Sequence, residues 1–157
     1  MSLASSAGDL SAFTVEHLSF MPGKLTVRIV VKEPFPRMTD DRLAAYALEA
    51  FPELGLHRCV NDAGPLFASA IECTPVPHLL EHLVISLQAR DPQQPSGFAL
   101  VGSTEWLNEA AGRARIAVSF KDDLIAARAM NRALRFLDEG MVRFYGYGSH
   151  HVRSDRR

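Results

Sequence analysis

Between Thr74 and Gln88 the chain reads TPVPHLLEHLVISLQ, which sets His78, Glu81 and His82 in the order H-x-x-E-H. Residues four apart on a helix project side by side. Two imidazoles at this spacing can therefore give a metal ion two nitrogen ligands at about 2.0–2.1 Å. Glu81, one turn from His78 and next to His82, is then placed to take a proton from a water molecule beside the ion. The pattern is the inverted form of a zinc-peptidase signature. Composition alone produces it in about one such chain in a hundred, so the competing reading is the polar side of an amphipathic helix.

The elements around the motif follow from periodicity and punctuation. Residues 13–20 and 24–32 read as two strands joined at MPGK, the second alternating Leu25, Val27, Ile29 and Val31 against Thr26, Arg28 and Lys32. Thr39, followed by Asp40 and Asp41, opens a helix that reaches about Phe51, with Leu43, Ala47, Ala50 and Phe51 facing the core. PELGLHRCVNDAG is loop-like, and LFASAIEC fits either a short helix or an irregular turn. Thr74 caps the motif helix, Pro75 sits where its missing N–H costs nothing, and Asp91-Pro92 ends it. Its core stripe is Leu80, Leu83, Val84 and Leu87; His78, His82, Ile85 and Ala89 lie opposite. Ile85 and Ala89 are out of place on a fully solvated face, which predicts that something covers this side.

After the DPQQPSG turn the pattern gives a short strand at 98–101, a connection STEWLNEAAG, and a strand at 113–120 with Ala114, Ile116, Val118 and Phe120 on one face. Asp122 and Asp123 open a last helix whose stripe runs Leu124, Ala127, Met130, Ala133, Leu134 and Leu137 and which ends at Gly140. Two hairpins with helices packed on one largely antiparallel sheet make a single α+β domain over 12–140, between a flexible N-terminus at 1–11 and a tail at 141–157.

Bulk properties narrow the functions. With 157 residues, 47% hydrophobic and 22% charged, the chain can bury a real core. A net charge of -1 supplies no field for nucleic acid. No window approaches the roughly 18 apolar residues of a membrane span, and the N-terminus MSLASSAGDL carries no leader pattern. The expectation is a soluble, cytoplasmic protein. Cys59 and Cys73 form no CxxC pair and read as small buried hydrophobes. No glycine-rich phosphate loop, serine nucleophile elbow or dinucleotide fingerprint occurs.

The run GLHRCVNDAGPLFASAIECTPVPHLLEHLVISLQ resembles the N-terminal domain of cyanophycin synthetases, through His57, Cys59, Gly64, Pro65, Thr74, His78, Glu81, His82, Leu87 and Gln88. ARIAVSFKDDLIAARAMNRALRFL resembles the closing strand and helix of that domain more loosely. In that family the N-terminal domain can carry a metallopeptidase-like site that cuts the polymer into primers, and separate ATP-grasp and Mur-ligase-like domains perform synthesis. Neither synthetic domain fits in this chain. The resemblance implies a stand-alone relative that cleaves a related amide, with an aspartyl-arginine isopeptide polymer as the implied substrate. Cys73 stands where the family commonly has Gly, and Ser119 where an acidic residue is expected in the closing strand.

A hydrolytic zinc site generally keeps three protein ligands and one open position. Glu105, Glu109, Asp122 and Cys73 are the candidates for the third. Glu105 is preferred, because a loop beside the helix can deliver its carboxylate without disturbing the sheet. His57 and Cys59 can line a pocket or add a ligand, although a hydrogen-bonded His and a buried Cys are the readings their residue types favour. Trp106 can wall a pocket or fill the core. His150 and His151 have the density of a weak metal site or belong to a loose end. Arg128, Arg132 and Arg135 mark a solvated face. Two functions compete: a zinc-dependent amide or peptide hydrolase with His78, His82 and Glu105 as ligands and Glu81 as base, and a non-catalytic domain that binds a peptide or a partner.

Overall fold

The computed structural model describes residues 11–61 and 64–146. The expectations placed on residues 1–10 and on His150 and His151 lie outside them. Among the described residues, six strands, β1 (Phe13–Met21), β2 (Lys24–Val31), β3 (Arg58–Asn61), β4 (Gly64–Leu66), β5 (Gly102–Asn108) and β6 (Arg113–Ser119), combine with three helices, α1 (Asp41–Ala50), α2 (Val76–Arg90) and α3 (Asp123–Tyr145). Short 3-10 turns at Pro52–Leu56 and Phe67–Ser69 flank the small β3–β4 pair. The main sheet has the order β1-β2-β6-β5, antiparallel throughout. This is the α+β domain that the sequence predicts.

Strand periodicity builds the core. Register sets Leu25 opposite Val118, Val27 opposite Ile116 and Ile29 opposite Ala114, and all six are buried. They form one apolar surface onto which the helices pack, each large side chain contributing about 1.5–3 kcal/mol on burial. The other face is polar: Glu16 on β1 pairs with Arg28 of β2 and Arg113 of β6. Toward the β1 edge the helices no longer cover the apolar surface, and Val15, Leu18 and Phe20 are 47%, 47% and 42% exposed.

Asp40, rather than Thr39, caps α1, its carboxylate accepting the Leu43 N–H at 2.9 Å. Thr39 is used elsewhere. Its hydroxyl donates to the Ile71 carbonyl and accepts the Thr74 N–H, at 2.7 and 2.9 Å, while its own N–H bonds the Thr74 carbonyl. This clamp fixes the approach to α2. α1 buries Leu43, Ala44 and Ala47, with Phe51 at its end, and leaves Ala50 outside.

In α3 the buried line is Ile125, Ala126, Ala129, Met130, Ala133, Leu137 and Met141, and Leu124 is 66% exposed. The helix also continues past Gly140 to Tyr145, so residues 141–145 belong to the domain and not to a tail. Gly140 is there because Tyr46 packs against it: a Cβ would stand 2.4 Å from Tyr46 Cε1.

The largest departure from the sequence reading is β5. Residues 98–101 form no strand, and the ladder begins at Gly102 and takes in Glu105 and Trp106, which the sequence places in a connection. No helix among the described residues is long and apolar enough to cross a membrane.

Candidate metal centre

α2 is buried around almost its whole circumference. Leu79, Leu80, Leu83, Val84 and Leu87 line one side, and Glu81 and His82 on the other are only 5% and 3% exposed. The cover that Ile85 anticipates comes from β5 and from the segment carrying His57, Cys59 and Phe67. Ile85 is half-buried there, whereas Ala89 is exposed. The Phe67 ring stacks on the His82 ring at 3.9 Å between centroids and meets His78 edge-on at 5.1 Å.

His78 Nε2 and His82 Nε2 lie 3.1 Å apart, and Cys59 Sγ is 3.3 Å from His78 Nε2. Cys59, His78 and His82 each offer a ligand atom within 4.8 Å of the other two. The opposite ring nitrogens are held from behind. Thr74 Oγ1 stands 2.8 Å from His78 Nδ1, and His57 Nδ1 stands 3.0 Å from His82 Nδ1. With each Nδ1 carrying the proton and donating outward, both Nε2 lone pairs face inward beside the sulfur. Such a convergence of donors is satisfied by a cation, and outer hydrogen bonds of this kind set the tautomer of metal-binding histidines. Two imidazoles and a thiolate suit zinc or another borderline divalent ion, and they leave a fourth, tetrahedral position free.

The electrostatics agree with this arrangement. Burial holds His57 and His78 below the ordinary imidazole value. His82 is driven down to about 3, first by burial and then by the nearby His78 and His57. All three rings are therefore neutral at pH 7, the state in which imidazole binds metal. Burial raises the Glu81 carboxyl, while the hydrogen bond it accepts from Thr104 Oγ1 at 2.6 Å pulls in the opposite direction. A carboxylate whose pKa is moved upward toward neutrality is better matched to passing a proton in both directions.

Glu105 is not brought to this cluster. It lies on β5 opposite Arg115 and forms an ion pair with it. Strand alternation sends Thr104 and Trp106 to the helix side of the sheet and Glu105 to the other. The preference for Glu105 depended on its being in a loop, and the strand removes that freedom. The third donor atom beside the two imidazoles is Cys59 Sγ, not a Glu105 oxygen. Asp122 caps α3, accepting from the Leu124 and Ile125 N–H groups; Glu109 and Cys73 are exposed. Thr74 serves His78 in place of capping α2, which starts with Pro75 at its N-cap and no side-chain cap. Ser119, where an acidic residue is expected, ties the residue before β5 to β6, its hydroxyl accepting the Val101 N–H at 2.8 Å.

The spacing His57-x-Cys59 was the available signal for the third donor. A two-residue step along a strand returns both side chains to one face, here the face turned to α2.

The cluster sits in a groove of about 790 Å³. One wall carries His57, Arg58, Cys59, His78, Glu81 and His82, and the other is the run from Ala99 to Trp106. Gly102 lies where that second wall meets Glu81: a Cβ at Gly102 would stand 2.7 Å from Glu81 Cγ and Oε1. No protein-family model matches the chain, and no curated protein matches it.

Proposed function

We propose that the protein is a metal-dependent hydrolase of amide or peptide bonds, with zinc as the ion, Cys59, His78 and His82 as its ligands, and Glu81 as general base. The observation that carries this reading is the convergence of Cys59 Sγ, His78 Nε2 and His82 Nε2 in an open groove that Glu81 also lines. The H-x-x-E-H spacing and the resemblance to the cyanophycin synthetase N-terminal domain support the roles given to His78, His82 and Glu81; Cys59 rests on the geometry alone.

A bound ion would polarise the scissile carbonyl and acidify a water molecule beside it. Glu81 removes a proton from that water as its oxygen adds to the amide carbon. The C–N bond then breaks, and Glu81 returns the proton to the departing nitrogen, leaving a carboxylic acid and an amine, which ionise to carboxylate and ammonium when the second water proton passes between them. Thr104 holds the Glu81 carboxylate in place, and Thr74 and His57 hold the two rings so that their Nε2 atoms remain directed at the ion.

A second reading rests on one contact. Cys59 Sγ beside His78 Nε2, with His78 Nδ1 on Thr74, has the order nucleophile, base, orienting group. A thiol nucleophile, however, gives the His82 Nε2 lone pair no partner but the same His78 nitrogen. The metal reading accounts for all three donors.

The test is the metal content of untagged protein, followed by turnover of a fluorogenic mixed-peptide library. The expected result is close to one divalent ion per chain, with Glu81→Gln keeping the ion and losing turnover. Protein that neither carries an ion nor takes one up on titration refutes the hydrolase. Metal uptake with no turnover of any peptide points to the alternative, a peptide- or partner-binding domain.

A further inference from the structure

β5 is the outermost strand of its sheet, and no described strand pairs with its outer side. The Ser119 N–H donates to the Val101 carbonyl at 2.8 Å, and register continues with Ser103 opposite Ala117 and Glu105 opposite Arg115. In an antiparallel ladder, residues that exchange both main-chain bonds alternate with residues whose N–H and C=O point away. Val101, Ser103 and Glu105 face β6. The main-chain groups of Gly102, Thr104 and Trp106 therefore point outward.

That outward edge belongs to the wall of the groove across from Cys59, His78 and His82. An unpaired edge is a template for another extended chain, in which main-chain bonds supply the affinity and alternate side chains point up and down. The same strand brings the edge close to the base, because the missing side chain of Gly102 admits the Glu81 carboxylate. From Gly102 to Trp106 the strand covers roughly 13 Å at 3.3 Å per residue, the span of about five residues of an extended chain.

We propose that the groove takes its substrate as an extended α-peptide whose main chain pairs with the outer edge of β5, so that the peptide presents one of its carbonyls to the Cys59, His78 and His82 cluster. This rests on the hydrolase reading above and adds the substrate class: an unfolded peptide segment, selected first by its backbone. Helical or folded segments, whose main-chain groups are already paired, are not substrates.

The test uses the full chain loaded with zinc and two metal-binding probes, acetohydroxamate and a penta-alanine with a C-terminal hydroxamate. A single N-methyl group is then moved along the peptide, one amide at a time. The peptide hydroxamate should bind about ten-fold tighter than acetohydroxamate, the net yield of roughly two main-chain hydrogen bonds. Methylation of every second amide should abolish that gain, and methylation of the amides between should leave it. Equal binding of the two probes, or a methyl effect with no alternation, overturns the edge-strand proposal while leaving the hydrolase standing. Failure of zinc loading, or no binding of acetohydroxamate by the loaded protein, overturns both.

Discussion

Gly102→Ala isolates the base from the metal. The backbone at Gly102 is one that any residue can adopt, so the substitution acts only through its new methyl group. That Cβ would lie 2.7 Å from Glu81 Cγ, 2.7 Å from Oε1 and 2.9 Å from Cδ, whereas comfortable carbon contacts begin near ~3.5 Å. The carboxylate must retreat by roughly 0.7–1 Å. It cannot do so freely, because Glu81 is 5% exposed and bonded to Thr104. A displacement of about 1 Å at a reacting group costs on the order of 10²-fold in rate, while overpacking at one methyl costs about 1–3 kcal/mol of stability. The measurement is kcat/KM on whichever library peptide the wild type cleaves best, with zinc content and a thermal melt on the same preparation. The expected variant is folded, fully loaded and about 100-fold slower. Wild-type turnover in a loaded variant would show that Glu81 does not act from this position. A variant that loses its zinc would show that Gly102 acts through something other than Glu81.

Three further outcomes follow from the same geometry. Cys59→Ala should weaken zinc binding at least about 10-fold, the lower end for loss of a supporting group, and Glu105→Ala should leave it unchanged in a competition titration with a chelator; the opposite ranking would restore Glu105 as the ligand. Leu83→Ala, truncating a side chain with no exposure, should lower stability by about 2–5 kcal/mol in denaturant melts, while His78→Ala should cost clearly less in metal-free protein and also forfeit the stabilisation that zinc gives; equal losses without metal would make His78 a packing residue. Burial raises the Glu53 carboxyl, but hydrogen bonds from Arg90 and Ser86 outweigh it and hold the group at about 2. A depressed carboxyl stabilises the fold above its unfolded value of 4.5, and that contribution disappears as pH falls from about 4.5 to about 2. Glu53→Gln should therefore flatten the acid limb of the stability profile by about 1–2 kcal/mol after discounting for partial exposure, and an unchanged limb would refute the pairing.

What was legible in the sequence was whatever repeats with a period. The alternation from Leu25 to Val31 gave β2 and its inward face, and acidic residues after Thr39 placed α1 within one residue at its start. β5 escaped because its inward positions are Gly102, Thr104 and Trp106. Two of these face Glu81 and not the core, so the strand lacks the apolar alternation by which strands are recognised. Gly140 reads as a helix end because glycine usually marks one; only the Tyr46 ring, ninety-four residues earlier, explains it. His78, Glu81 and His82 are legible as a spacing, and Ile85 beside them as a sign that the face is covered, but not which segments cover it, since those lie far away in sequence. Cys59 is legible only as one of several possible ligands, because its partner is nineteen residues away and only the fold sets the two together.

The cluster draws on two bodies of unequal anchorage. His78 and His82 ride on a helix enclosed by the core, whereas Cys59 and His57 belong to, or border, a small two-stranded sheet separate from the main one. An ion held by all three ligands is a rivet between those bodies. The helix supplies two of the donors and the small sheet the third. On the proposed assignment, metal departure would be coupled to any lifting of that sheet, and the rate at which the ion leaves would report a local opening of the protein. Anything that presses β3 against α2 would then lengthen the residence of the ion without touching it.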